Sequence, residues 1–138
     1  MEGVETVSKS LKSPVDVLIG MSITTVSVVG STQIQFGVSP TYLLKCESDV
    51  VLETESGTYA WNGVFPSDDF QKLELLIGAC VTAATISDVG RLEFVFDNLM
   101  KLSVLPNEQF ESWQLVGPNG FMVVSLSGGK LALWDSNQ

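Results

Sequence analysis

"LIGMSITTVSVVGSTQIQFGVSPTYLLKC", residues 18–46, and "LIGACVTAATISDVGRLEFVFDNLMKLSV", residues 76–104, are two versions of one phrase. At a spacing of 58 they align without a gap and share Leu18/Leu76, Ile19/Ile77, Gly20/Gly78, Thr24/Thr82, Phe36/Phe94 and Leu44/Leu102. Six identities in 29 positions is about three times chance. Apolar character is also kept at Ile23/Val81, Val28/Ile86 and Ile34/Leu92. Each copy reads as a Leu-Ile-Gly lead-in, a β-branched strand (23–29 and 81–87) and a turn at Gly30 or Asp88-Val89-Gly90. An alternating strand follows, which puts Ile34/Phe36 and Leu92/Phe94 on one face. Another strand comes after a Ser-Pro or Asp-Asn turn.

Outward from the repeat, "PSDDFQKLELLIGA" (66–79) predicts a short helix near 67–77. Ser67 or Asp68 is its N-cap, with Phe70, Leu73, Leu76 and Ile77 at helical spacing. Residues 47–65 read as one or two strands with a turn at Glu55-Ser56-Gly57. In 111–135, Gly117-Pro118-Asn119-Gly120 and Gly128-Gly129 close short apolar runs, the pattern of consecutive hairpins. The fold class expected is mainly β: two repeated antiparallel β-meanders forming a sandwich or partly open barrel. A single domain spans 1–138, and residues 1–13 are expected to be flexible.

Composition narrows the function classes. The apolar content of 45% suits a globular chain that buries a core. No apolar run approaches the roughly 20 residues that cross a bilayer, and the N-terminus lacks a secretion signal, so a cytoplasmic protein is expected. Cys46 and Cys80 read as reduced thiols. Without histidine or a CxxC pair they give no metal set, and no cofactor is expected. The absence of histidine also removes Ser-His and Cys-His nucleophiles. Asp68-Asp69 reads better as capping acids than as a glycosidase pair. Gly117 to Gly120 lacks the lysine and helix of a phosphate loop. An enzyme is therefore not expected.

Sixteen acids against seven bases leave a net charge of −9. Nucleic acid and anionic membranes are poor partners for that field, whereas a basic protein is a natural one. The acids concentrate in Glu47, Asp49, Glu53, Glu55, Asp68 and Asp69, with no basic residue between Lys45 and Lys72. On a strand, Glu53 and Glu55 share a face. Tyr59, Trp61 and Phe65 lie in the same interval. Acids ringing exposed aromatics form a docking surface, steered by charge and anchored by rings. The alternative leaves the rings in the core and the acids as a solvated edge.

The C-terminal segment adds a resemblance. An alternating strand (Leu92 to Phe96), the turn Asp97-Asn98 and a second strand (Leu102 to Leu105) precede Phe110-Glu111-Ser112-Trp113. Gly117 to Gly120, Gly128-Gly129 and Leu131-Ala132-Leu133-Trp134 follow. This pattern resembles a small all-β bacterial family with many immunity proteins of polymorphic toxin systems, including contact-dependent growth inhibition. The likeness runs from about residue 17 onward, and Asp97-Asn98 departs from the more common Asp-Gly. It implies an immunity protein that binds and neutralises a cognate toxin C-terminal domain, with Trp113 and Trp134 as core anchors. A basic nuclease, a ribonuclease above all, is the toxin that an acidic surface fits. A small-ligand-binding β-barrel or a structural subunit is the other reading.

Overall fold

The computed structural model describes residues 13–64 and 67–134. The expectation of a flexible segment at 1–13 falls almost wholly outside them. Eleven strands form two antiparallel sheets. In chain order they are β1 (Ile23–Val28), β2 (Thr32–Phe36), β3 (Tyr42–Cys46), β4 (Asp49–Thr54), β5 (Gly57–Asn62) and β6 (Val81–Ile86). The remainder are β7 (Leu92–Phe96), β8 (Lys101–Val104), β9 (Trp113–Val116), β10 (Met122–Ser125) and β11 (Leu131–Trp134). One sheet has the order β1-β2-β3-β9-β10-β11 and the other β5-β4-β8-β7-β6. They do not close into a barrel. The two meanders are β1-β2-β3 and β6-β7-β8, as the repeat requires.

What the sequence does not announce is an exchange. Each meander is completed by strands that follow the other copy's place in the chain: β4-β5 pairs with β8, and β9-β10 pairs with β3. Val50 lies opposite Val104 and Leu52 opposite Leu102, while Trp113 lies opposite Cys46 and Leu115 opposite Leu44. All eight side chains are buried in one core. Neither half can finish its sheet alone.

The repeats meet at a local two-fold axis. Ser22 and Cys80, 58 residues apart, form an antiparallel bridge with Oγ and Sγ 3.0 Å apart. Gly20 N–H donates to Val81 O and Gly78 N–H to Ile23 O, both at 2.8 Å. Val81 N–H donates to Met21 O and Ile23 N–H to Ala79 O, both at 2.9 Å. Every bond has its mate at the repeat spacing. The lead-in glycines are needed because Gly20 and Gly78 each sit at φ 91°, a backbone region that favours glycine. Thr24 and Thr82 occupy matching bulges in β1 and β6, and their hydroxyls donate to Gln35 O and Val95 O across the strand pair.

The gapless alignment needs one correction. Ile23 lies opposite Phe36, but Val81 lies opposite Phe96, not Phe94. The first interstrand turn is longer in the second copy, so β2 matches β7 at a spacing of 60, and the next turn restores 58. Phe36 thus corresponds to Phe96, and Ile34 to Phe94. A slip of two residues keeps the same face inward, so Ile34, Phe36, Leu92, Phe94 and Phe96 are all fully buried. Phe36 and Phe94 meet with ring centroids 5.5 Å apart.

The predicted helix exists as a 3-10 helix, Asp68–Leu76, with Ser67 Oγ accepting from Asp69 N–H. Three residues per turn explain why Phe70, Leu73 and Leu76 face inward while Ile77 is 50% exposed. The first copy has the matching 3-10 turn at Asp16–Leu18. The hairpin turns after β9 and β10 fall where Gly117 to Gly120 and Gly128-Gly129 place them. Trp113 is a core residue, 1% exposed. Trp134 is not: it is half-buried on edge strand β11, opposite Met122.

The β6-β7 and β10-β11 turns touch through glycine. A Cβ on Gly90, at φ 90°, would stand 2.5 Å from Gly129 Cα, whereas one on Gly30, at φ 76°, would meet nothing within 4 Å. Gly90→Ala is expected to cost about 3 kcal/mol, from backbone strain plus collision, and Gly30→Ala about 1 kcal/mol, from strain alone. Urea unfolding of the two variants measures both, and equal losses would mean that the turn contact is absent.

Candidate functional site

The acidic interval 47–69 folds into β4, β5 and the start of the 3-10 helix, and its acids and rings separate. Glu53 points out of the five-stranded sheet opposite Lys101, whereas Tyr59 and Trp61 stand in the inward rows with Leu52 and Val50. Trp61 is 4% exposed, and its Nε1–H donates to Thr32 Oγ1 at 3.1 Å. It belongs to the core and offers no ring to a partner. Tyr59 is half-buried at the sheet edge, with Lys72 Nζ 5.1 Å from its ring centroid and its hydroxyl 3.0 Å from Ser56 Oγ. Glu55 lies in the β4-β5 turn, not in β4, so it does not share a strand face with Glu53. Phe65 falls outside the described residues.

The remaining acids stay on the surface. Glu47, Asp49, Asp68 and Asp69 are exposed. Asp49 Oδ1 accepts from Asn62 Nδ2, and Asp69 Oδ2 accepts from Ala60 N–H, which ties the helix start to edge strand β5. The ion pairs among the described residues converge elsewhere: Arg91 and Lys101 both approach Glu93 at 4.0 Å. Lys101 is also the cross-strand neighbour of Glu53, so the outer face of the five-stranded sheet carries mixed charge.

Another exposed ring has an exposed acid beside it, Phe110 with Glu111. Glu47, just past β3, lines a shallow cleft of about 520 Å³ with Phe110, Glu111, Leu126 and Ser127. Phe110 is 46% exposed. Its loop is shaped by Asn107, whose Oδ1 accepts from Gln109 and Phe110 N–H groups and whose carbonyl accepts from Gly128 N–H. Glu47 N–H donates to Ser112 O at 2.9 Å, which holds the first carboxylate beside the second. Phe110 and Glu111 belong to the aromatic-Glu-x-Trp step, so the signal was present in the sequence. Only the β3-β9 pairing, far apart in the chain, brings Glu47 to it.

Thiol chemistry has no foothold at this cleft. Cys46 is buried beneath it, and desolvation by burial, reinforced by the charge of Glu47, pushes its thiol well above the ordinary value. Among the described residues, no three His, Cys, Asp or Glu side chains come together as a metal-binding group. In the native protein at mildly alkaline pH, one thiol, Cys80, is expected to react promptly with a maleimide, and Cys46 only after unfolding. Because the unfolded chain ionises Cys46 near 9.0 and the folded chain does not, its contribution to stability falls as pH rises past that value. Peptide mapping of the labelled protein checks the order, and early labelling of Cys46 would contradict it.

No described helix is long and apolar enough to cross a membrane. Neither a curated protein nor a solved structure matches the chain. The match found lies at the level of a family, over residues 14–135, which take in both repeats, the exchanged hairpins and the Phe110 cleft. The chain belongs to that family, DUF6188, a family of unknown function.

Proposed function

We propose that this protein acts by occupancy, as a cytoplasmic immunity protein that binds and neutralises a cognate toxin C-terminal domain by covering its active site. The toxin is a basic nuclease, a ribonuclease in the favoured case, of the kind delivered by contact-dependent inhibition. The observation that carries this reading is Phe110, half-exposed in a cleft that Glu47 and Glu111 also line. An exposed aromatic side chain with carboxylates in the same cleft suits a cationic groove: charge raises the encounter rate, and burial of the ring slows release. The net charge of −9 extends the attraction beyond the contact itself. Among the residues singled out from sequence, Glu47 joins this cleft, while Asp49, Glu53, Glu55, Asp68 and Asp69 contribute to the wider field. A basic active site that holds an RNA backbone is the kind of cationic groove that such negative charge attracts.

The test is co-purification with the product of the neighbouring reading frame, followed by kinetics at two ionic strengths. Affinity is expected to fall steeply as salt rises, through a lower association rate. Phe110→Ala is expected to weaken binding by about tenfold or more through faster release. Glu47→Lys with Glu111→Lys is expected to slow association. Reversing Glu53, Glu55, Asp68 and Asp69 together separates the wider field from the cleft: full protection of cells by that variant would make those four acids bystanders. If no stable pair forms at low ionic strength, the immunity reading fails. A melting shift with a copurified metabolite would then favour a small ligand, since a cleft of about 520 Å³ has room for one.

A further inference from the structure

Nine large apolar side chains are exposed among the described residues, and eight of them lie on matching elements of the two copies: two pairs at the repeat spacing of 58, one at 60, and one in corresponding turns of unequal length. Val17 corresponds to Leu75 and Ile19 to Ile77, on the two matching 3-10 segments. Val38 and Leu99 occupy the corresponding β2-β3 and β7-β8 turns, and Val29 and Val89 the corresponding turns at the opposite strand ends. Phe110 alone has no mate.

Six of the eight lie on segments that surround the Ser22–Cys80 crossing. The 3-10 turn Asp16–Leu18 runs into Ser22, and the 3-10 helix Asp68–Leu76 runs into Cys80. Gly37 N–H donates to Ser22 O and Asp97 N–H to Cys80 O, each at 2.9 Å, and these bonds bring the turns bearing Val38 and Leu99 to the same crossing. Ile19 and Ile77 are 46% and 50% exposed. Both copies keep isoleucine at a position that the core does not use.

We infer that this end of the molecule is an isologous interface with a second copy of the chain, with the two internal axes in line. A patch close to two-fold symmetric is matched well by a second copy with a coincident axis, because the dimer axis doubles each contact and the internal axis approximately doubles it again. The six aliphatic side chains offer on the order of 500 Å² per copy, less than the roughly 800 Å² that a stable interface takes from each partner, which suits a reversible dimer rather than a permanent one. Asp16 and Glu74 are chain neighbours of Val17 and Leu75, and Asp97 Oδ1 accepts from Cys80 N–H at the crossing, so like charges are brought together when two such ends meet. Added salt screens that repulsion and leaves the apolar contact intact. Self-association should therefore strengthen with salt, opposite to the salt dependence of toxin capture, and it does not depend on that function.

Sedimentation equilibrium of the full chain tests this between about 0.05 and about 0.5 M NaCl, where the screening length shortens several-fold. The expected result is a monomer–dimer equilibrium whose dissociation constant falls as salt rises. Ile19→Ser with Ile77→Ser should weaken it by about tenfold or more, with native far-UV circular dichroism kept at a concentration low enough for both forms to be monomeric. Val29→Ser with Val89→Ser, at the far strand ends, and Phe110→Ala should leave it unchanged. A chain that stays monomeric at the highest soluble concentration in high salt overturns the inference. So does a dimer that loosens as salt rises, one indifferent to the Ile19/Ile77 variant, or one equally weakened by the Val29/Val89 variant.

Discussion

The hydrogen bonds that cross between residues 20–23 and 78–81 are the constraint on which the rest of the molecule depends. They join the edges of two sheets at one corner, and they do so in pairs, so that the orientation of one repeat dictates that of the other. With the corner set, β3 and β8 are left without outer neighbours, and the strands that supply them come from β9 and β4. The residues identical between copies mark this junction. Leu18 and Leu76 are buried beneath it, Gly20 and Gly78 take the positive φ that it needs, and Thr24 and Thr82 form its bulges.

Much of the fold was legible because its information is local. Alternation located β2 and β7, glycine pairs located the hairpins, and a repeat at 58 residues located the meanders. Two things were not legible, for different physical reasons. The slip of two residues between β2 and β7 is silent to any reading of polarity, because strand faces alternate with a period of two. The exchange of β4-β5 and β9-β10 is silent because either meander presents a similar row of apolar partners, Leu44 and Cys46 in one and Leu102 and Val104 in the other. Pairing specificity there resides in the finished core.

The candidate site shows the same division. From sequence, the rings at 59 and 61 are expected to be exposed among the acids that flank them in the chain, but burial is decided by strand pairing. Trp61 lies directly opposite Val50 with its ring inward, so it joins the core whatever acids flank it. Glu47 and Phe110 are 63 residues apart and meet only through pairing of β3 with β9. Charge placement sharpens the contrast, since Arg91 and Lys101 are drawn to Glu93 on the outer face of the five-stranded sheet.

The strand exchange also governs how the chain can fold as a ribosome releases it. After the first repeat and its hairpin have emerged, β3 lacks β9 and β4 lacks β8, so two strand edges wait unpaired. Synthesis of β8 relieves one of them, and the other persists until β9 follows. A nascent chain thus carries an unmatched, largely apolar edge from the completion of β3 at Cys46 to the arrival of β9 at Trp113, the condition in which intermediates associate wrongly. The acids of β4, its turn and the following helix are made during that interval, and they set nascent chains repelling one another while the edge stands open.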